Sequence, residues 1–134
     1  MIKYLTKEQV ILLNVFLLKK YSSKEDVGIK SPDLLDSAIN RPRQSAFGED
    51  AYKTIFAKVA ALFQSIVQNH PFFNGNKRTA YAALEAFLRK NGYVIRATDM
   101  DKIDLTIEVS DQQNKRSVKD IAKWIEKKSK PIPL

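Results

Sequence analysis

Residues 69–80 read "NHPFFNGNKRTA" and separate two long stretches with helical patterning. They hold the only histidine of the 134 residues, two adjacent phenylalanines, an Asn-Gly-Asn sequence and a Lys-Arg pair. Asn74 and Gly75 favour a turn, and the sequence "KRTAYAALEAFLRK" that follows is rich in strong helix formers. The stretch therefore predicts a loop between two helices, with His70 near the end of the first.

The chain on both sides of this loop reads as a succession of amphipathic helices. Thr6 begins a T-x-x-Q capping box, and apolar residues follow it at helical spacing through residue 20. Ser31 and Pro32 open a short helix that reaches about Asn40, and a long helix begins at about Asp50. After the motif the pattern predicts a helix that ends at an Asn-Gly pair, an extended piece at 93–96, a helix over 98–109, and a last helix from 117 whose tail, "KPIPL", trails off.

Residues 40–50 interrupt the helical pattern. Pro42 and Gly48 lie in this segment and favour a loop or a hairpin-like flap. The chain holds no repeat, low-complexity block or interdomain linker, and it is the size of one domain. The expected fold is a single all-α domain over residues 1–134, a compact helical bundle with a short flap.

The composition excludes several kinds of chemistry. The chain has no cysteine, so disulfides, zinc-thiolate sites and thiol catalysis are ruled out. The apolar run "VILLNVFLL" is nine residues long, too short to cross a bilayer, and no small-residue cleavage site follows it. We therefore expect a soluble cytoplasmic protein with no membrane partner.

The net charge of +8 is unevenly distributed. Residues 115–130 carry seven basic and two acidic groups, so most of the excess lies near the C-terminus and not around the histidine. A solvated helix face explains this pattern most simply, and attraction for an acidic partner is the alternative. Because no RNP, zinc-finger or helix-turn-helix pattern is present, direct binding of nucleic acid is not predicted.

The turn at Asn74, Gly75 and Asn76 has the composition of an anion nest. The first backbone N–H groups of a helix lack intrahelical partners, and a glycine that allows positive φ lets them converge on a phosphate. Lys77 and Arg78 stand in the first helical turn, where cations oppose the helix dipole. A polyphosphate ligand explains that conflict. The turn alone, or the two cations alone, would be weak evidence, because such residues are often only structural.

The ordered set His70, Phe72, Asn74, Gly75, Asn76, Lys77, Arg78 resembles the signature of the Fic/Doc family, H-x-F-x-[D/E]-[G/A]-N-[G/K]-R. The resemblance extends along most of the chain. The segments that carry it are "YLTKEQVILLN", "SPDLLDSAINRP", "RPRQSAFGEDAY" and "SVKDIAKWI". They are similar to the death-on-curing (Doc) branch, the toxin half of a bacterial type II toxin–antitoxin pair.

The resemblance implies a role for each motif residue and makes ATP and Mg²⁺ the expected cofactors. His70 is the general base that takes a proton from a target hydroxyl, with Lys77 and Arg78 completing the catalytic set. The nucleotide is held by Asn74, Gly75, Asn76, Lys77 and Arg78. Phe72 anchors the loop in the core, and the flap (about 41–49) holds the target segment in an extended form.

Three residues depart from the adenylylating Fic pattern. Lys77 stands in place of a glycine and Tyr81 in place of a second arginine. Both agree with the Doc branch, which is linked with transfer of the γ-phosphate of ATP to a threonine of elongation factor Tu and with arrest of translation. Asn74 stands where the family has the magnesium-ligating carboxylate, so the metal ligand here is an uncharged amide.

These residues are also compatible with two other functions. The chain can be an adenylyltransferase, or a catalytically weak module that binds an antitoxin. It contains no [S/T]-x-x-x-E-[G/N] motif of the kind that inhibits family members in cis. A cognate antitoxin acting in trans is therefore expected, with an acidic, amphipathic helix that lies in an apolar groove near the flap.

Overall fold

The computed structural model describes residues 1–133 and is built mainly from six helices. In chain order these are α1 (Lys7–Tyr21), α2 (Pro32–Asn40), α3 (Ile55–Asn69), α4 (Asn76–Lys90), α5 (Asp99–Ser110) and α6 (Val118–Lys128). The four short strands are β1 (Ser45–Ala46), β2 (Glu49–Asp50), β3 (Tyr93–Ile95) and β4 (Ser129–Pro131), and a turn of 3₁₀-helix covers Arg41–Arg43. The prediction of an all-α fold is confirmed.

Helix α3 lies at the centre of the bundle. It packs against α4 and α6 most extensively, and also against α2 and α5. Nine of its fifteen residues are buried, which is why its sequence is apolar on more than one face. The core around it includes Leu35, Val59, Phe63, Phe72 and Phe87. The motif loop, residues 70–76, therefore connects the central helix to its main packing partner.

The helix caps follow the local sequence. The Thr6 hydroxyl accepts a hydrogen bond from the Gln9 N–H while the Gln9 side chain accepts one from the Thr6 N–H, so the predicted capping box is formed. Ser31 caps α2, where Pro32 occupies the first turn. These interactions depend on residues three apart in sequence, so they are visible before the fold is known.

Two sequence-based expectations were wrong at element boundaries. Helix α3 begins at Ile55, capped by the Thr54 hydroxyl, and not at about Asp50, because Asp50 belongs to a strand of the flap. The tail does not simply trail off, since β4 pairs with β3 in an antiparallel register that sets Val94 opposite Lys130. The partner of β3 lies more than thirty residues away in sequence. Local patterns therefore gave no sign of the pairing.

No helix within residues 1–133 is both long enough and apolar enough to cross a membrane.

Phe72 and Phe73 are adjacent but lie in opposite environments, with 1% and 56% of their surfaces exposed. We expect Phe72→Ala to lower the free energy of unfolding by about 3–5 kcal/mol, because it leaves a cavity in the core. Phe73→Ala is the matched control and should cost about 0.5 kcal/mol, as exposed substitutions do. Urea denaturation measures both values. Equal losses in the two variants would show that Phe72 does not anchor the loop.

Candidate active site

His70 ends α3 in a left-handed conformation, with φ 50° and ψ 60°. Histidine is one of the few residue types other than glycine that adopt this region with some frequency. The His70 N–H still donates to the Ile66 carbonyl at 3.3 Å, so the chain leaves the helix only after this residue. The side chain is exposed. The backbone, and not a buried side-chain contact, therefore directs the imidazole into solvent.

The motif loop pairs with the segment before α2. The carbonyl of Pro71 accepts from the N–H groups of Lys30 and Ser31, at 2.8 and 3.0 Å. The Phe73 N–H donates to the Gly28 carbonyl at 3.0 Å, and Ile29 forms an isolated antiparallel bridge with Phe72. These bonds satisfy the loop's backbone groups and fix its path.

Asn76 closes the motif loop on itself. Its side-chain oxygen accepts from the Phe72 N–H at 3.0 Å, and its side-chain nitrogen donates to the Phe72 carbonyl at 2.9 Å. Asn76 is 8% exposed. The sequence placed Asn76 among the nucleotide-binding residues. Because its carboxamide is used inside the loop, only its backbone N–H is left for that role.

Gly75 precedes α4 with φ 74° and ψ 19° and is enclosed by α1. A Cβ at this position would lie 3.2 Å from the Asn14 side-chain nitrogen and 3.2 Å from a methyl carbon of Leu18. Both the positive φ and the close approach favour glycine. Helix α1 thus forms the back wall of the turn.

Asn14 connects α1 to this turn and was missed as a functional residue by sequence reasoning. Its side-chain nitrogen donates to the Asn74 carbonyl at 2.9 Å and to the Thr79 hydroxyl at 3.0 Å. Asn14 is 1% exposed, so the two bonds offset the cost of burying its amide. The signal was present in the sequence as the one polar residue in the run "VILLNVFLL". The residues that Asn14 contacts could not be read from the sequence.

The N-terminus of α4 has the form of an anion nest. Gly75 gives it no side-chain cap, and the first intrahelical bond joins the Thr79 N–H to the Gly75 carbonyl. The N–H groups of Asn76, Lys77 and Arg78 precede that bond, and such groups are available to an external acceptor. Lys77 and Arg78 are exposed beside them. Backbone dipoles and two cations therefore favour the same kind of ligand, an anion.

Arg78 is held by an aromatic side chain from α1. Its guanidinium carbon lies 4.3 Å from the centre of the Tyr21 ring, and the Lys20 ammonium lies 5.1 Å from the same ring. Stacking on the ring leaves the edge N–H groups of an arginine free to bind oxygen atoms. Tyr21 thus orders a cation beside the nest, a second contribution of α1 that the sequence did not reveal.

Tyr81 lies one turn further along α4 and is 8% exposed. Its ring packs edge-on against Phe63, at 6.3 Å between centroids, and the Lys102 ammonium lies 5.4 Å from the ring centre. The Tyr81 hydroxyl has no hydrogen-bond partner within residues 1–133. Burial, assisted by the negative charges of Glu85 and Asp101, raises the pKa of this phenol. The side chain is therefore neutral where the adenylylating pattern has an arginine.

A groove of about 610 Å³ opens beside the nest, between α1, α4 and α5. We call it the α4 groove. Lys77 and Arg78 line it at the start of α4. The rest of the lining includes the apolar side chains Leu17, Ile103 and Ile107 and the acidic side chains Glu85 and Asp99. Ile103 and Ile107 are 50% and 57% exposed and form an apolar patch on α5. The groove combines an apolar surface with basic side chains next to the nest.

Asn74 is the motif residue whose side chain could hold a metal. Its nitrogen donates to the Asp26 carbonyl at 3.0 Å, which leaves the amide oxygen as the ligand atom. Residues 1–133 contain no cluster of three or more His, Asp or Glu side chains arranged as a metal site. One neutral oxygen fits a Mg²⁺ ion that is held mainly by nucleotide phosphates and water.

The sequence model of the Fic/DOC family matches residues 4–88, which span α1 to α4 with the flap and the motif loop. This chain belongs to the Fic/Doc family. Similarity to a curated relative extends further: the chain is 39% identical over 112 residues to a protein named Toxin Doc from Mycolicibacterium smegmatis (strain ATCC 700084 / mc(2)155). The alignment covers 82% of each chain. The family assignment that the sequence suggested is thereby confirmed.

Proposed function

We propose that this protein is the toxin of a toxin–antitoxin pair and that it transfers the γ-phosphate of ATP to a hydroxyl of a protein target. Elongation factor Tu is the target that we would test first. The observation that carries the proposal is the juxtaposition, within one loop, of an exposed imidazole, an anion nest and two cations. The similarity to a relative named Toxin Doc supports the toxin assignment.

His70 is the proposed general base. Its imidazole is exposed at the start of the motif loop, where a protein hydroxyl can reach it. In the reaction the base takes the hydroxyl proton as the oxygen forms its bond to the γ-phosphorus, and the bond from that phosphorus to the bridging oxygen of ADP breaks. The products are a phosphorylated side chain and ADP.

The anion nest and its cations are the proposed phosphate site. Phosphoryl transfer depends mainly on positioning and on neutralising the charge of the phosphate oxygens. Backbone N–H groups of Asn76 to Arg78 would provide fixed donors, while Lys77 and the Tyr21-stacked Arg78 would provide positive charge. A bound Mg²⁺ would supply further charge neutralisation, with the Asn74 oxygen as its protein ligand.

Lys77 and Tyr81 favour phosphate transfer over AMP transfer. Lys77 adds a cation at the nest where the adenylylating pattern has none, and the buried neutral Tyr81 removes a cation further along α4. Phosphate groups bind where positive charge is concentrated. Both changes therefore favour a placement of the nucleotide that differs from that in the adenylylating pattern. AMP transfer remains the second candidate, because His70 and the nest would serve either reaction.

The proposed reaction is tested by mass spectrometry of elongation factor Tu after incubation with ATP and the purified chain. We expect the mass of one added phosphate, whereas one added AMP would favour the adenylyltransferase. His70→Ala should lower the rate by about 10²–10⁴-fold, as removal of a general base does. Lys77→Gly should weaken phosphorylation and shift the product toward AMP transfer.

The controls for this experiment separate loss of activity from loss of fold. The His70→Ala chain should stay folded and lose at most about 1–2 kcal/mol, since the imidazole is exposed and the expected cost is alanine at a positive φ. Full activity in that variant would exclude His70 as the base. No mass shift with the wild-type chain, together with intact antitoxin binding, would favour the catalytically silent binding module.

Asn74→Asp tests the metal contribution. The added charge should lower the Mg²⁺ concentration needed for half-maximal activity. The same change removes the donor to the Asp26 carbonyl, which should cost about 0.5–1.5 kcal/mol of stability. Asn74→Ala is the control for stability, because it also loses the donor; since it removes the ligand oxygen as well, it should not lower the Mg²⁺ requirement. An unchanged Mg²⁺ dependence in Asn74→Asp would indicate that ATP alone positions the metal.

The proposed antitoxin contributes an acidic, amphipathic helix. The sequence placed its groove near the flap, where a groove of about 400 Å³ lies between Tyr52, Phe56 and α6. The α4 groove is larger and is lined by Lys77 and Arg78, so a helix bound there would also reach the phosphate site. We therefore propose the α4 groove as the docking site, with opposite charge favouring the encounter.

Co-expression with the neighbouring small open reading frame, followed by pull-down and an activity assay, tests this partner. Ile103→Asp should weaken the complex by more than about tenfold, because it places a carboxylate against an acidic helix. Leu12→Asp is the matched control, since Leu12 is 67% exposed on α1 but does not line the groove. Equal binding by both variants would exclude the α4 groove. A wild-type chain that purifies alone, is fully active and is harmless to its own host would exclude the antitoxin.

A further inference from the structure

Lys58 is a buried cation outside the motif loop. It lies on α3 and is 1% exposed, although lysine is almost never buried unless it is paired. The Lys58 ammonium donates to the Pro42 carbonyl at 3.2 Å and forms an ion pair with the Asp50 carboxylate at 3.2 Å. Pro42 precedes β1 of the flap and Asp50 ends β2. One ammonium group therefore holds both ends of the hairpin.

A second cation also bonds to the base of the flap. Arg41 donates from Nε to the Tyr52 hydroxyl at 2.9 Å. Its Nη1 donates to acceptors on α3, the Ala61 carbonyl, the Gln64 side chain and the Ser65 hydroxyl. Arg41 and Tyr52 flank the flap in sequence, so this contact closes the hairpin just outside the Lys58 contacts. The flap base is thus bonded to the central helix at two points.

The tip of the flap is strained and apolar. Ala46 pairs with Glu49, and the two residues between them, Phe47 and Gly48, have φ values of 54° and 79°. Positive φ at both positions is typical of a type I′ turn, where Asn-Gly is preferred and a bulky residue is strained. Phe47 is nevertheless fully exposed. Neither local preference nor burial accounts for a phenylalanine here, which points to a contact with another molecule.

The flap is too small to hold this geometry unaided. Each strand has two residues, and isolated two-stranded hairpins are at best marginally stable in water. All the residues of its two strands are exposed, so no core contact of the strands stabilises it. The rigidity of the tip must therefore come from the base, where Lys58 contacts both ends directly and Arg41 joins Tyr52 just outside them.

We propose that Lys58 is the positioning residue of the flap: it holds the hairpin at a fixed angle to α3, so that Phe47 contacts the protein target. The inference rests on the proposed function, because it assigns the flap to target binding. Lys58 touches neither nucleotide nor target hydroxyl. Its loss should therefore weaken target binding and leave the chemical step intact.

A purely structural role for Lys58 predicts a different result. Replacing a buried ion pair by an apolar side chain is often neutral for global stability. If Lys58 served only general stability, Lys58→Met would alter amide hydrogen exchange either throughout the chain or not at all. A positioning role predicts a change confined to the flap.

The first test is amide hydrogen exchange on the full chain without ligand. Lys58→Met should speed exchange at the Ala51 N–H, which donates to the Gln44 carbonyl across the flap base, by about tenfold or more. Amides of α4 should be unchanged. Asp50→Asn is the second variant: it takes the charged partner from the buried Lys58 ammonium and leaves the bond to the Pro42 carbonyl, so it should also speed exchange at Ala51. The matched control is Glu49→Gln, which removes the exposed Glu49–Lys53 pair of the same hairpin and should change nothing.

The second test is steady-state kinetics with elongation factor Tu and ATP. Lys58→Met should raise KM for the protein about tenfold or more while kcat and KM for ATP stay within about twofold. Phe47→Asn should raise the same KM without lowering the unfolding midpoint, because asparagine suits the turn. Unchanged exchange at Ala51, or an equal rise in α4, overturns the proposal, as does an unchanged KM in Lys58→Met. A wild-type chain that does not modify the factor counts against the proposed function, and the exchange result then decides the role of Lys58 by itself.

Discussion

The pair of hydrogen bonds between the Asn76 carboxamide and the backbone of Phe72 is the constraint on which the site depends. It closes a five-residue loop and commits the Phe72 side chain to the core. With the loop closed, His70 is directed outward and the first N–H groups of α4 are left without a side-chain cap. An asparagine that capped the helix in the usual way would satisfy the donors that the proposed phosphate site requires.

Helix α1 is as much a part of the site as the motif itself. Asn14 bonds to the turn from behind, Leu18 encloses Gly75, and Tyr21 orders the Arg78 guanidinium. Two cations at a helix N-terminus are repelled by the positive end of the macrodipole. A bound anion would relieve that repulsion. The local electrostatic cost is thus consistent with a phosphate ligand. The Tyr21 ring of α1 keeps one of these cations, Arg78, in place.

Buried polar groups occur where elements meet. Asn14 joins α1 to the turn before α4, Asn76 joins the two ends of the motif loop, and Lys58 joins α3 to the flap. Each is at least nine-tenths buried and each has hydrogen-bonded partners. Losing a partner would leave a desolvated polar group, so such contacts define geometry more sharply than apolar packing does. The nest and the proposed base are therefore held rigidly relative to the core.

The sequence by itself determined the helices and the motif, because both depend on residues within a few positions of each other. Caps such as that of Thr6, the turn at Gly75 and the order of residues from His70 to Arg78 could all be read locally. Only the tertiary structure decided which buried polar group meets which partner, that β4 pairs with β3, and that Asp50 closes the flap and does not begin α3. These choices join residues far apart in the chain, and their energies depend on burial and distance, which no local pattern encodes.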